Sequence, residues 1–267
     1  MMSKKDLLLC RVIVEYLQHK EPIGSESLKT LMNTKISSAT IRNYFKALSD
    51  EGLLFQSHIS GGRIPTLSAL KAYWYRHIDA ISTIEADSME CIQKACLACD
   101  IFCVLSVEQS NKFVSVSHID NKLLLDFEHI GITLPFSSAL ERFLGELKGL
   151  DVIDMRKIAY QVRATALLDV LQCVQSRNLR FFGVGALAEV CKDDDGRFHH
   201  IISGDMFDTL ENGMYCEEVL PSGYLAIMQE IRLKSCLDKK GMDKKARMLC
   251  IGALDRDFTQ FYSCIQS

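Results

Sequence analysis

Residues 37–46, Ser-Ser-Ala-Thr-Ile-Arg-Asn-Tyr-Phe-Lys, hold the densest set of side chains in the chain able to do recognition chemistry. Ser37, Ser38 and Thr40 are small hydroxyl residues that can approach phosphate oxygens and base edges closely. Asn43 offers the paired donor and acceptor that match adenine, and Arg42 offers the forked donors that match guanine. Lys46, one turn beyond Asn43, can neutralise a phosphate. Ile41, Tyr44, Phe45 and Leu48 recur at i, i+3, i+4 and i+7, which predicts a helix that starts at Ser37-Ser38 and buries these four. Its other face then displays Thr40, Asn43, Lys46 and Ala47, with Arg42 at the border. The chemistry open to this set is hydrogen-bonded reading of a duplex, and no bond is broken.

Other clusters lack what their chemistry requires. Gly183-Val184-Gly185-Ala186-Leu187-Ala188 has the spacing of a dinucleotide fingerprint after a strand. That site needs a crossover helix on the pyrophosphate and an acidic residue about 20 positions further on. The Lys192-Asp193-Asp194-Asp195-Gly196 turn arrives too soon for such a helix, so a plain strand and turn is expected. Cys91, Cys96 and Cys99 match a C-x4-C-x2-C spacing with Cys103 close behind, but they ride a helical pattern beside Met89 and Ile92. An iron–sulfur loop should be irregular. Asp193, Asp195 and Gly196 imitate part of a calcium loop whose twelfth position is Ile202, which cannot ligate. His199-His200 reads as a half-exposed strand start, and no Ser–His–Asp or Cys–His set can be assembled. No enzymatic activity, cofactor or metal site is expected.

The elements around residues 37–46 have a recognisable order. Leu9, Val12, Ile13, Tyr16 and Leu17 predict a helix over 6–19, which Pro22 and Gly24 stop. Ser25 stands as the N-cap of a short second helix with Leu28, Leu31 and Met32 inward, and Asn33-Thr34-Lys35 forms the next break. Gly52 ends the third helix, and Leu53-Leu54-Phe55 reads as a strand. Gly61-Gly62, between Ile59 and Ile64, signals a hairpin whose turn demands positive φ. Pro65 closes it, and Thr66 caps a helix over Leu67–Ile81. Three short helices and a hairpin are the order of a winged helix-turn-helix, whose third helix enters the major groove while the wing with Arg63 can lie along the backbone or enter a narrow minor groove.

Charge divides along the same line. The chain has 267 residues, 48% hydrophobic and 24% charged, and a net charge of −3. Residues 1–80 carry 11 basic against 7 acidic side chains, +4, and the remainder stands at −7. A basic module on a larger acidic body suits a nucleic-acid binder with a separate assembly or sensing domain. No apolar run approaches the roughly 18 residues of a spanning helix, and Arg11 cuts the first apolar stretch too early for a signal peptide. Eleven irregularly spaced cysteines then read as free thiols in a reducing cytoplasm.

Beyond the module, the polar run 82–88 reads as a linker. A helix is expected over Met89–Cys99, followed by strands over Ile101–Val107, Phe113–Ile119 and Lys122–His129, the last two joined by a tight Asp120-Asn121 hairpin. Helices follow over Ala139–Lys148, capped by Ser138, and over Met155–Ser176. Arg180–Val184, Phe198–Ile202, Tyr224–Leu233 and Arg247–Ala253 are expected strands, and Asp257–Gln266 a final helix. This mixture predicts an α+β body. The apolar stripe of the long helix and the size of the acidic body predict a homodimer formed by residues beyond about 90.

Four ordered blocks carry a resemblance. Glu21-Pro22-Ile23-Gly24-Ser25, Ser37-Ser38-Ala39-Thr40-Ile41-Arg42-Asn43, Gly52-Leu53-Leu54 and His58-Ile59-Ser60-Gly61-Gly62-Arg63-Ile64-Pro65-Thr66 closely resemble signature blocks of the HrcA family of heat-inducible transcription repressors. The resemblance implies a dimeric repressor of chaperone operons on an inverted-repeat operator, modulated by the chaperonin GroEL, and it adds His58 to the DNA-facing set. It also implies a GAF-like α+β body with an inserted dimerisation segment, trimmed in this shorter chain. Expected domains are therefore 1–82, the winged-helix module, and 89–267, the GAF-like body with a helical insertion around 137–220. A different class remains open: a winged-helix regulator controlled by a small molecule bound in the body.

Overall fold

The computed structural model describes residues 3–32, 36–56, 58, 61–108, 111–172, 174, 177–237 and 243–266. Runs of helices and runs of strands follow one another along a mixed α+β chain. Met1–Leu105 with Phe181–Ser267 forms one compact unit, and Ser106–Arg180 a second.

The first unit begins with α1 (Lys4–His19), α2 (Ser25–Met32) and α3 (Ser38–Asp50). A capping box starts α1: the Ser3 hydroxyl accepts from Asp6 N at 3.1 Å, and the Asp6 carboxylate accepts from Ser3 N. Leu8 and Val12 of α1, Leu28 of α2 and Ile41, Phe45 and Leu48 of α3 close on one core with Ile23 and Leu54. Leu31, expected inward, is 42% exposed, because so short a helix turns Leu28 fully inward and Met32 only in part. The expected break at Asn33–Lys35 lies outside the described residues.

Gly52, at φ +71, ends α3 in the left-handed conformation that favours glycine. β1 (Leu54–Phe55) and β2 (Ile64–Pro65) then pair antiparallel. Thr66 caps α4 (Leu67–His77), its hydroxyl accepting from Ala69 N at 3.3 Å. The helix stops short of the expected Ile81 because Asp79 turns the chain, its carboxylate accepting from the amides of Ile81 and Ser82.

β3 (Ile84–Ala86) lies within the expected linker and pairs parallel to a later strand, burying Ile84 and Ala86 on one face. α5 (Met89–Cys99) has the predicted bounds and leads to β4 (Phe102–Glu108).

The second unit has its own layers. β5 (Phe113–Ile119), β6 (Lys122–Phe127) and β7 (Gly131–Pro135) form an antiparallel sheet, with the 120–121 turn as expected. α6 (Ser138–Glu146), α7 (Val152–Gln161) and α8 (Thr165–Gln172) bring Leu144, Met155, Ala159, Leu167 and Leu171 to a core with Phe113, Leu123 and Leu125. The single helix expected over Met155–Ser176 is thus two, divided at Arg163, which takes φ +55.

β8 (Arg177–Phe182) brings the chain back. Gly183 then turns it into α9 (Val184–Cys191), which corrects the expectation that no helix follows this strand. The site of the expected strand over 198–202 is α10 (Asp195–Ile202): the Asp194 carboxylate accepts from Arg197 N at 2.9 Å and caps a helix. α11 (Met206–Thr209), β9 (Gly213–Tyr215), β10 (Tyr224–Leu237), β11 (Asp243–Ala253) and α12 (Phe258–Ile265) complete the unit. Its sheet runs β3-β10-β11-β4-β8 with β9 on β10, and the long β10–β11 ladder lies at the centre.

Candidate nucleic-acid interface

Backbone donors at the start of α3 would be left unsatisfied without a cap. Ser37 supplies it, accepting from Thr40 N at 3.1 Å and meeting the Thr40 hydroxyl at 2.9 Å. Ser38 is 8% exposed and packs inward, so the two serines build the helix start while Thr40, Arg42, Asn43 and Lys46 stand exposed beyond it. Ile41, Phe45 and Leu48 are buried and Tyr44 is half-buried. Of the face predicted from spacing, Thr40, Asn43 and Lys46 are exposed and Ala47 is half-buried, while Arg42, expected at the border, is exposed.

The hairpin is fastened beside this helix by backbone. Ile23 N donates to Arg63 O at 2.9 Å, and Arg63 N donates to Ile23 O at 2.8 Å. Neither Gly61 nor Gly62 has positive φ, contrary to the turn expected of them. Gly62 is needed for a different reason: a β-carbon there would lie 2.6 Å from the carbonyl carbon of Pro22. Gln56 donates to Gly61 O at 3.0 Å and ties the two arms of the hairpin. His58 is exposed, and Arg63 is half-buried with its Nε enclosed and unbonded. Ile59 and Ser60 lie outside the described residues.

Several of the basic side chains in residues 1–80 are paired with acids. Lys5 bonds Glu51 at 2.6 Å, Arg11 bonds Glu15 at 2.8 Å and Lys71 bonds Glu217 at 2.6 Å. Lys20 reaches the Asp255 carboxylate at 3.5 Å, and burial pulls its ammonium down from the ordinary lysine range. Among the described residues, Arg42 and Lys46 form no ion pair. Two side chains free to meet an anion therefore stand on one helix face.

The remaining clusters carry no comparable arrangement. Cys96, Cys103 and Cys250 share hydrogen bonds in the core, where burial and the neighbouring thiols push their protons on rather than off. A metal ligand must be the thiolate. No group of His, Cys, Asp and Glu able to hold a metal ion occurs among the described residues. α9 leads into α10, and the next strand, β9, pairs with β10 rather than beside β8, so the glycine segment lacks its crossover unit. A cleft of about 250 Å³ with mixed walls is lined by His77, Asp79, Ile84, Gln229, Thr259 and Tyr262, among others. No described helix is long and apolar enough to cross a membrane.

These features define a mixed α+β protein whose third helix exposes Thr40, Arg42, Asn43 and Lys46. A family model described as the HrcA C-terminal domain matches residues 74–267. The chain belongs to the HrcA family. It is 29% identical to the heat-inducible transcription repressor HrcA of Helicobacter pylori over 265 residues, 99% of this chain and 95% of that protein. The HrcA repressor of Protochlamydia amoebophila is 46% identical over 72 residues, 27% of this chain and 19% of that one. A crystal structure of a hypothetical protein shares the fold, with a TM-score of 0.51 and 15% identity over 99% of this chain and 94% of that one.

Proposed function

We propose that this chain is a transcriptional repressor of heat-shock genes, acting by binding duplex DNA in the cytoplasm and catalysing no reaction. Family membership and relatives named as heat-inducible transcription repressors support it. The observation that carries the mechanism is the exposed row Thr40, Arg42, Asn43 and Lys46 on α3, beside a hairpin bound to the α1–α2 turn. In this reading residues 1–82 are a winged helix-turn-helix. Arg42 and Asn43 read base edges, Lys46 holds phosphate, and His58 and Arg63 lie along the backbone. Ser37 and Ser38 bring the start of α3 close to the duplex.

Residues 89–267 are then a GAF-like body. Its inserted segment is read as the chain around 106–180, which carries a core of its own, rather than around 137–220. The repressor acts as a homodimer on an inverted repeat in chaperone operons, and GroEL is the modulator that the family resemblance implies. A dimer doubles the contacts of one module and demands twofold symmetry of its site. Light scattering of the full chain gives its mass, and titration against an operator with one half-site destroyed gives the symmetry. A monomer that binds one half-site as tightly as two would overturn the dimeric mechanism.

One observation favours a ligand-controlled form of this function: a cleft of about 250 Å³ lies between His77 and Tyr262, with both polar and apolar walls. A melting temperature that rises with a small polar metabolite, and does not rise after Thr259→Val, would support it.

A further inference from the structure

We infer that Lys20 and Trp74 are positioning residues that lock the N-terminal module to the loop after β11, fixing how the module is presented to DNA. The inference rests on the reading of α3 as the DNA-facing helix.

The loop 254–257 is held from behind by the body. Leu254 N donates to Gly223 O at 2.8 Å, Arg256 bonds the Asp100 carboxylate at 2.6 Å, and Asp257 caps α12 through Gln260 N at 2.9 Å. Its forward carbonyls face the module. Trp74 of α4 is fully buried, donates its indole N–H to Leu254 O at 2.7 Å and meets the Phe258 ring edge-on, with centroids 5.3 Å apart. Lys20, the left-handed residue that ends α1, donates its ammonium to Asp255 O and lies 3.5 Å from the same residue's carboxylate.

The end of α1 and the helix after the hairpin, α4, thus grip consecutive carbonyls of one loop. A buried indole N–H needs a partner, and a cation at a helix C-terminus is favoured by the helix dipole. Lys71–Glu217 and the Tyr75 hydroxyl on Met214 O, at 3.1 Å, add outer contacts on the same side. Lys20 is basic but turned to the body, so its charge serves this joint and not the duplex.

The joint can be read directly because Trp74 is the only tryptophan. In the full chain, Lys20→Met should shift the tryptophan emission to longer wavelength as water reaches the indole, and Lys20→Arg should restore it. In binding titrations, Lys20→Met and Trp74→Phe should leave affinity for a single half-site within about twofold of the parent. Affinity for the inverted repeat should fall about tenfold.

Unchanged emission in Lys20→Met, or an inverted-repeat affinity unchanged in both variants, overturns the inference. So does an equal loss on half-site and full site, which would make these residues part of the module's own stability or contact surface. If the parent chain binds no duplex at all, the DNA reading fails, and the emission shift alone then decides whether the joint exists.

Discussion

Ile23 and Arg63 lie forty positions apart and exchange both of their backbone hydrogen bonds, at 2.9 and 2.8 Å. This single bridge sets the hairpin against the turn between α1 and α2. Without it the two-residue strands β1 and β2 would be marginal, since an isolated short hairpin has little stability in water.

Gly62 is what lets the bridge form. Gly62→Ala would place its β-carbon 2.6 Å from Pro22 and 2.7 Å from Ile23 backbone, and backbone cannot rotate away as a side chain can. We expect a loss of about 3 kcal/mol in urea unfolding. Gly61→Ala meets only His58 O at 3.2 Å and should cost under about 1 kcal/mol. Equal costs at the two positions would show that the close approach to Pro22 does not matter.

On α3, Asn43→Ala and Arg42→Ala should weaken operator binding selectively, by about 1–3 kcal/mol each. Lys46→Ala and Arg63→Ala should weaken operator and scrambled duplex alike and flatten the salt dependence by about one unit of slope. Mobility-shift titration on both duplexes separates these outcomes. A loss for Asn43→Ala that is equal on the two would mean that this residue does not read sequence.

The thiols give a pH dependence. Burial, the largest cause, pushes the Cys99 thiol up to about 11 from its ordinary value near 9. The folded chain therefore holds this proton more tightly than the unfolded one. That stabilisation is complete below about pH 9 and is lost as the pH rises through about 11. The buried Cys103 thiol and Tyr262 phenol, raised by burial, act in the same direction. The urea midpoint should fall between about pH 9 and 11, and Cys96, Cys103 and Cys250 should resist iodoacetamide near pH 7 until the chain is unfolded. Prompt labelling of all three in the folded chain would contradict this.

Arg163 ends α7 in the left-handed conformation, and Ala164 N donates back to Ala159 O at 2.9 Å in the manner of a glycine stop. Arg163→Val, β-branched at φ +55, should cost about 1–2 kcal/mol. Thermal unfolding measures it, and a neutral Val would mean that the backbone relaxes there without strain.

The same residue shows what the sequence left hidden. Glycine is the usual signal at such a stop, and arginine in its place let the apolar stripe from Ile158 to Val174 read as one helix. At 194–196, Asp-Asp-Gly looks like a turn, and only the bond from Arg197 N reveals a cap. β3 was invisible because a three-residue parallel strand is specified by its neighbour β10 and not by its own pattern. β7 was legible in principle: Ile132 and Leu134 alternate between a glycine and a proline. The exposure of Thr40, Asn43 and Lys46 was legible, because helical spacing alone decides which side of α3 is buried, whereas the burial of Ser38 was not. The part Trp74 plays was not legible, since its partner Leu254 is 180 positions away.

The chain leaves its first unit at Leu105 and returns at Phe181. During synthesis, the central ladder of the sheet and the carbonyl that receives Trp74 emerge last. At roughly 5–20 residues per second, the N-terminal helices wait several seconds or more for the strands that complete their unit. Throughout that interval the indole and the apolar face of α5 lack the late segments that cover them in the folded chain. A late-closing topology of this kind leaves the first unit unfinished until its final strands have been made.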